Sequence, residues 1–304
     1  HPVKSREAIT EAYFEHGVRN FVLDSHFELE KIVECTKAAK DLTLVVRLAV
    51  SNSHAGLDLS GKFGAHPTLA NELLSDARQV ADALGVSFHV GSQCSNPASF
   101  REAIRLAAKC VSTAEVRLDV IDVGGGFPSV YPGMDIPPLE DYFEAIEAEL
   151  DEQGLLGKVD LWCEPGRALV AESGAVLVRV ELRKGNQLYI NDGIFGCLFD
   201  AKFCDMMFPV RTYRRNGEFA SRELSEFGLF GPTCDSMDYI EGPYMLPSDI
   251  KEGDFIEIGQ LGAYGRAMQS NFNGFSVQTM AEVYDVPLMS IALENSEAAH
   301  QVAA

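Results

Sequence analysis

The fold is decided where the chain reads Ser87-Phe-His-Val-Gly-Ser92, Asp122-Val-Gly-Gly-Gly-Phe127 and Glu164-Pro-Gly-Arg167. Each stretch closes an apolar run that is typical of a buried strand, so a histidine, a glycine triplet and a Glu/Arg pair follow successive strands. A ring of polar groups at one end of the strands is what a barrel enzyme uses to hold a phosphorylated ligand. The sequence therefore predicts a parallel barrel with a site at the carboxyl ends of its strands.

Strand-like and helix-like segments alternate from the start of the chain to about residue 167. We predict strands at Phe21–Ser25, Leu44–Val50, Val86–Gly91, Leu118–Val123 and Leu161–Cys163, and helices at Glu28–Ala39, Pro67–Leu84, Pro97–Ala114 and Leu139–Gln153. This alternation indicates βαβ units and a parallel sheet. A complete barrel has eight such units. Only six are found when Pro2–Lys4 is counted as the end of a strand, so we expect two units to lie before His1.

The residue pattern changes at about residue 170. From there, short runs of β-branched and aromatic residues are separated by Gly, Pro and Asn. We predict strands there at Val176–Leu182, Gln187–Ile190, Phe208–Tyr213, Phe227–Phe230 and Asp254–Ile258. Such spacing favours an antiparallel β-domain. The predicted organisation is a partial barrel over 1–169, a β-sandwich or β-barrel domain over 170–292 and a tail over 293–304.

Composition narrows the classes of partner and compartment. A formal net charge of -20 disfavours nucleic acid and anionic membranes as partners. The seven cysteines show no CxxC spacing, so we expect no metal site. Most of them are expected to be small buried side chains in a reducing cytoplasm, with one catalytic thiol left open.

The sequence offers four candidates for the site, and the first three each have a structural alternative. Glycines at Gly124–Gly126 let amides approach a phosphate, but they also suit a tight turn. Glu164 and Arg167 suit a phosphorylated ligand, but they also suit a surface ion pair. His89 is either a site imidazole or a hydrogen-bonded core residue. A charge at Arg47, inside an apolar strand, needs an anionic partner.

Together with Gly231-Pro-Thr-Cys-Asp235, these motifs resemble the fold-type III decarboxylases that depend on pyridoxal phosphate. The match is to the ornithine/lysine decarboxylases, and more narrowly to their bacterial branch, and it runs from His1-Pro-Val-Lys-Ser5 to Phe272-Asn-Gly-Phe275. The resemblance implies an α/β fold, the (β/α)8 alanine-racemase-like barrel with a C-terminal antiparallel β-domain. It also implies an active homodimer with two shared sites.

The resemblance implies a role for each matching residue. Glu164 would pair with the pyridine nitrogen, His89 would stack on the ring, and Arg47 would lie beside the phenolic oxygen. Cys234 would return a proton to the substrate carbon. The phosphate would be bound by Ser92, Gly124, Gly125, Gly126, Gly166, Arg167 and Tyr264, and the substrate by Asp235 and Phe272.

The substrate is less well defined. Ornithine enzymes place an acidic residue near the end of the turn Phe195–Cys204. A direct count lands on Cys204, with Asp205 next and Asp200 before it. The resemblance implies decarboxylation of L-ornithine or L-lysine to putrescine or cadaverine. Three alternatives stay open: a diaminopimelate decarboxylase, a carboxynorspermidine-type decarboxylase and a non-catalytic homologue that regulates polyamine synthesis.

The family also needs a lysine that binds the cofactor covalently, on the first strand of the barrel. Val3-Lys4 offers a lysine, but His1-Pro-Val-Lys-Ser5 matches the family's third strand. We therefore expect the cofactor-binding lysine before His1 and expect this stretch of chain to be inactive by itself.

Overall fold

The computed structural model describes residues 1–215, 217, 220–276 and 279–289 of the chain. The predicted tail at 293–304 lies outside them. The described residues form two compact units: the first contains 1–128 and 136–165, and the second contains 129–135 and the described residues from 166 onward. The domain assignment of 1–169, 170–292 and 293–304 stays a prediction.

The first unit is built on a five-stranded parallel sheet with the strand order β1-β2-β4-β6-β7. A separate antiparallel pair is formed by β3 and β5. The strands are β1 Asn20–Leu23, β2 Thr43–Arg47, β3 Ala55–Leu57, β4 Ala83–Ser87, β5 Ser92–Cys94, β6 Val120–Asp122 and β7 Asp160–Trp162. The helices are α1 Arg6–Phe14, α2 His26–Cys35, α3 Pro67–Val80, α4 Ala98–Thr113 and α5 Leu139–Glu152.

Runs of consecutive apolar residues form the parallel strands because the sheet is buried on both faces. In β2, the side chains of Leu44, Val45 and Val46 are all at most 1% exposed. Helix α3 ends at Val80, four residues before the predicted end, so Leu84 belongs to β4 instead. The predicted strand Val86–Gly91 therefore begins three residues after the observed strand, which is Ala83–Ser87.

Pro2–Lys4 is not a strand, so the described residues contain five parallel barrel strands rather than six. The Lys4 ammonium lies 2.8 Å from Glu28 Oε1 and donates to the carbonyl of Val22 at 2.6 Å. Burial lowers the pKa of Lys4. These contacts give Lys4 a structural role at the start of the first unit.

Two helices of the first unit begin at serine N-caps, which satisfy amides that have no partner within the helix. Ser5 Oγ accepts from the amide of Ala8 in α1, and Ser25 Oγ accepts from the amide of Glu28 in α2. Within the described residues, no helix is long and apolar enough to cross a membrane.

The second unit is built on a six-stranded sheet with the order β10-β13-β8-β9-β11-β12. The neighbours are antiparallel, as in the predicted antiparallel β-domain, except β9 and β11, which are parallel. Strand β12 was not predicted because Gly242 and Pro243 interrupt its apolar pattern. The elements are α6 Gly166–Val170, β8 Val176–Lys184, β9 Gln187–Ile190, α7 Phe199–Phe203, β10 Val210–Tyr213, β11 Leu224–Phe230, β12 Tyr239–Pro247 and β13 Phe255–Ile258, with short 3-10 turns at Ala171–Ser173, Arg266–Met268 and Phe272–Gly274.

Candidate active site

In the first unit, four neighbouring parallel strands have paired residues at their carboxyl ends, which form one row across the sheet. Arg47 pairs with Ser87, Ser87 with Asp122, and Asp122 with Trp162. His89, Gly124 and Glu164 each lie two residues beyond this row. Arg47 was predicted in the middle of its strand, but it is the last residue of β2, where a charged group reaches the sheet edge. His89 likewise lies beyond β4 rather than inside it.

The glycine loop packs directly against the segment that carries His89. A Cβ at Gly124 would lie 2.0 Å from the carbonyl oxygen of Phe88, and one at Gly126 would lie 2.3 Å from that of Gly91. Both glycines have positive φ angles, of 69° and 100°. A Cβ at Gly125 would lie 2.8 Å from His89 Nε2. All three positions therefore need glycine for close approach.

His89 is held as a neutral imidazole. Its Nδ1 lies 3.0 Å from the amide of Gly91, which donates to it, so the ring proton of the neutral form is assigned to Nε2. Burial, aided by the Arg47 cation, lowers the pKa of His89 from 6.5 to about 4. A neutral ring stacks on a cationic heterocycle without like-charge repulsion.

Two carboxyl groups follow neighbouring strands. Asp122 is only 6% exposed, and its Oδ1 accepts from the amide of Gly124 at 2.9 Å. Burial raises the pKa of Asp122 to about 6, and the Glu164 carboxylate contributes to the rise. Glu164 is exposed, and its amide donates to the carbonyl of Gly124 at 2.7 Å. Sequence reasoning missed Asp122, although an acidic residue inside an apolar run signalled it.

The Arg47 guanidinium lies among several acidic groups. Burial lowers its pKa, whereas the carboxylates of Glu164, Asp24 and Asp122 act in the opposite direction. Its Cζ lies 5.5 Å from the centre of the Phe63 ring, a cation–π contact. The anionic environment that the sequence required for this arginine is therefore supplied by the protein itself.

In the second unit, Arg167 is buried rather than on the surface. Its Nη2 lies 2.8 Å from Asp200 Oδ2, and its Nη1 donates to the Tyr131 hydroxyl at 3.1 Å. Its Cζ lies 4.7 Å from the ring centre of Tyr264, which was predicted to share its ligand. The alternative of a surface ion pair between Glu164 and Arg167 is therefore wrong. Tyr131 and Asp200 were not among the predicted site residues.

Cys204, the predicted position of a substrate-binding group, supplies no charge. Its Sγ lies 3.6 Å from Asp200 Oδ1. Burial and the Asp200 carboxylate raise its pKa to about 11, so the thiol is neutral at pH 7. The acidic group of this turn is Asp200, which lies in α7 one helical turn before Cys204.

Cys234 is exposed on a turn whose other residues are well anchored. The buried Asp238 accepts from the amide and hydroxyl of Thr233 and from the amide of Ile194. The Asp235 Oδ1 accepts from the amide of Met237 at 2.8 Å. The turn thus presents the Cys234 thiol to solvent.

The segment that contains Phe272 lies beside this turn. The Phe272 ring centre is 4.8 Å from that of Phe195, and the Asn273 Oδ1 accepts from the amide of Cys234 at 3.2 Å. The structure therefore brings together Cys234, Phe272 and the start of the turn Phe195–Cys204. Of the other predicted residues, Ser92 begins β5 and Gly166 begins α6.

The first-unit residues fit pyridoxal phosphate, the cofactor that the resemblance implies. Within the described part of the chain, the amides of Gly125 and Gly126 donate to no protein acceptor, and no Cβ covers them. Bare amides of this kind bind phosphate. The neutral His89 ring and the Glu164 carboxylate would supply the stacking group and the anion that a protonated pyridine ring requires.

Comparison with known proteins gives consistent matches. Residues 1–171 match the family model described as pyridoxal-dependent decarboxylase, pyridoxal binding domain. A lysine/ornithine decarboxylase of Selenomonas ruminantium is 31% identical over 283 residues, covering 90% of this chain and 68% of that protein. The antizyme inhibitor 2 of Xenopus laevis is 30% identical, covering 86% of this chain and 60% of that protein.

Among solved structures, the lysine/ornithine decarboxylase of Vibrio vulnificus complexed with cadaverine is 32% identical, with a TM-score of 0.74. The match covers 93% of this chain and 75% of that one. These likenesses and the parallel α/β sheet confirm the predicted fold class, an alanine-racemase-like barrel architecture with a C-terminal β-domain. The chain therefore belongs to the fold-type III pyridoxal-phosphate-dependent decarboxylases, in the ornithine/lysine decarboxylase family.

Proposed function

We propose that this protein decarboxylates a basic amino acid, L-ornithine or L-lysine, to putrescine or cadaverine. The single observation that carries the proposal is the row of groups beyond the first-unit strands, in which His89, Gly124 and Glu164 follow neighbouring strand ends. The lysine/ornithine decarboxylase from Selenomonas ruminantium supports this substrate class.

Pyridoxal phosphate, when bound, supplies a ring that accepts the electrons left behind by the departing CO₂. Glu164 would keep the pyridine nitrogen protonated, because an adjacent carboxylate favours the cationic form. Asp122, buried beside Glu164 and bonded to the amide of Gly124, would restrict the motion of this carboxylate. The neutral imidazole of His89 would stack on the ring and exclude water from one face.

The resemblance assigns phosphate binding to Ser92 and to the amides of the Gly124–Gly126 loop in the first unit. It assigns the same role to Gly166, Arg167 and Tyr264 in the second unit. Arg47 would lie beside the phenolic oxygen. Arg167 is already neutralised by Asp200, so its contribution to binding is a directed hydrogen bond rather than an unpaired charge.

Substrate groups would be handled by the exposed turn of the second unit. The Cys234 thiol would give its proton to the substrate carbon from which CO₂ has left and would then be reprotonated from solvent. The Asp235 carboxylate would bind the distal ammonium, and Phe272 and Cys204 would line the pocket. We further propose a homodimer in which Cys234 and Asp235 of one subunit serve the cofactor of the other.

Full-length protein incubated with pyridoxal phosphate and a panel of amino acids tests this function. We expect CO₂ release and an equal amount of diamine from L-ornithine or L-lysine. We expect Glu164→Ala to cost about 3–4 kcal/mol of transition-state stabilisation, the range for a preorganised electrostatic group. Unchanged turnover in that variant would remove Glu164 from the mechanism.

Two other functions are separated by the same panel. Release of CO₂ from meso-diaminopimelate or a carboxylated polyamine alone would indicate one of the other decarboxylases. A regulator that acts by binding is supported by the likeness to antizyme inhibitor 2. It would release CO₂ from none of the substrates and would show no visible absorption band of bound cofactor.

We also propose a cytoplasmic location and membership of the bacterial branch. All seven cysteines are free thiols in the structure, which suits a reducing compartment. The relatives from Selenomonas ruminantium and Xenopus laevis differ by one percentage point in identity, so the branch rests on the motifs alone. Fractionation of cells that express the tagged protein would test the location.

A further inference from the structure

The turn that carries Cys234 is anchored unevenly. Its flanks are fixed by Asp238, which is 3% exposed and accepts three hydrogen bonds from Thr233 and Ile194. The amide of Gly231 also donates to the carbonyl of Asp238 at 2.8 Å. At the cysteine itself, the described residues offer the amide one acceptor, Asn273 Oδ1 at 3.2 Å.

Asn273 is well suited to be an anchor. Its backbone lies in the left-handed region, with φ 53° and ψ 16°, which Asn adopts more readily than most residues. Its segment is fixed to Phe195, whose carbonyl accepts from both the amide and the hydroxyl of Ser270. Phe272, the residue before Asn273, packs on the Phe195 ring.

We propose that Asn273 is a positioning residue for Cys234, holding the cysteine amide so that the thiol keeps one orientation. The inference rests on the proposed function for the role of the thiol, but the contact itself belongs to the second unit alone. Through Asn273 the Cys234 turn is tied to the Phe195–Phe272 contact.

The chemical consequence concerns where the proton goes after CO₂ has left. With the thiol in place, the substrate carbon takes the proton and one diamine forms for each CO₂. If the thiol were displaced, the substrate carbon would take its proton less often. Water would then supply an oxygen, and part of the substrate would leave as an aldehyde while its amino nitrogen stayed behind. The ratio of diamine to CO₂ therefore reports the position of the thiol.

Two substitutions separate the side-chain acceptor from the backbone conformation. Asn273→Gly removes the acceptor but keeps the left-handed conformation accessible, whereas Asn273→Asp keeps both. Asn271→Gly is the matched control, because Asn271 is exposed and its side chain does not contact Cys234 in the described residues.

The first readout is independent of activity: the rate at which iodoacetamide alkylates Cys234, followed by mass spectrometry of its peptide. The background carries Cys163→Ser, because Cys163 is the other exposed thiol. We expect Asn273→Gly to change this rate about fivefold, the size of one lost hydrogen bond. Rates are compared at alkaline pH, where the thiol is ionised in every variant, because the carboxylate of Asn273→Asp would otherwise lower the ionised fraction. Under that condition Asn273→Asp and Asn271→Gly are expected to keep the rate of the background protein.

The second readout is the ratio of diamine to CO₂ in the full-length protein with pyridoxal phosphate. We expect it to fall below one in Asn273→Gly and to stay near one in Asn273→Asp. Equal behaviour of Asn273→Gly and Asn273→Asp in both readouts would overturn the inference, whatever the stability of either variant. If the parent protein released no CO₂, the proposed function would fail while alkylation still decided the role of Asn273.

Discussion

Arg167 and Asp200 form a buried ion pair in the second unit, with 2.8 Å between Nη2 and Oδ2 and side-chain exposures of 5% and 8%. The Tyr131 hydroxyl and the Tyr264 ring complete the surroundings of the guanidinium. The family motif that begins at Glu164 thus ends in an arginine whose charge is compensated from α7. The ion pair therefore joins Arg167, a predicted phosphate ligand, to the turn Phe195–Cys204, which was predicted to contact the substrate.

Loss of the Asp200 charge is expected to destabilise the protein strongly. Asp200→Asn would leave a buried guanidinium without its counter-ion, which costs about 3–5 kcal/mol of unfolding free energy. Urea denaturation of the protein without cofactor measures this. The control is Glu181→Gln, which breaks the exposed pair with Arg179 and is expected to cost less than about 1 kcal/mol. Equal effects of the two substitutions would contradict the buried pair.

His89 and Asp122 are expected to give opposite dependences of stability on pH. The pKa of His89 falls from 6.5 to about 4 on folding, so the unfolded chain binds more protons between these values and His89 makes stability rise with pH. The pKa of Asp122 rises from 3.8 to about 6, so the folded chain binds more protons and Asp122 makes stability fall with pH. Each contribution is about 3 kcal/mol at most.

Conservative variants separate the two contributions. His89→Asn keeps an acceptor for the amide of Gly91 and is expected to steepen the loss of stability between pH 4 and 6. Asp122→Asn keeps the acceptor for Gly124 and is expected to make stability rise from pH 4 to 6.5. Urea denaturation across this range, without cofactor, measures both slopes. Slopes that match the unsubstituted protein in both variants would show that neither group titrates with a shifted pKa.

Gly125 is expected to be essential for binding of the cofactor ring beside His89. In Gly125→Ala, the new methyl group would lie 2.8 Å from His89 Nε2 and 2.9 Å from the carbonyl oxygen of Glu164, so the imidazole must move. We expect the dissociation constant of pyridoxal phosphate to rise at least about tenfold. Gly61→Ala, where a Cβ meets nothing within 4 Å, is the control. Fluorescence titration compares them, and equal affinities would exclude this packing.

The parallel sheet was predictable because its strands are buried on both faces, and continuous apolar runs such as Leu44–Val46 show this directly. The boundary between α3 and β4 could not be predicted, because Leu84 continues the helical periodicity of the sequence although its backbone pairs with Leu44 in the sheet. Strand β12 was missed for a related reason. Gly242 and Pro243 resemble a turn, yet the strand continues through them beside β11.

The placement of His89, Gly124 and Glu164 just beyond strand ends was predictable, because each belongs to a motif that follows an apolar run. Contacts between distant segments were not, because spacing along the chain carries no information about them. Arg167 meets Asp200, 33 residues later, and Cys234 meets Asn273, 39 residues later. Asp122 was visible in the sequence, but only the fold shows that its carboxyl group bonds the glycine loop and lies beside Glu164.

We propose that Glu164 keeps the pyridine nitrogen of the bound cofactor protonated. The most direct measurement is the ¹⁵N chemical shift of pyridoxal phosphate labelled at that nitrogen and bound to the protein at neutral pH. We expect a protonated nitrogen in the unsubstituted protein and an unprotonated one in Glu164→Gln. A nitrogen that stays protonated in Glu164→Gln, or that is unprotonated before the substitution, would contradict it.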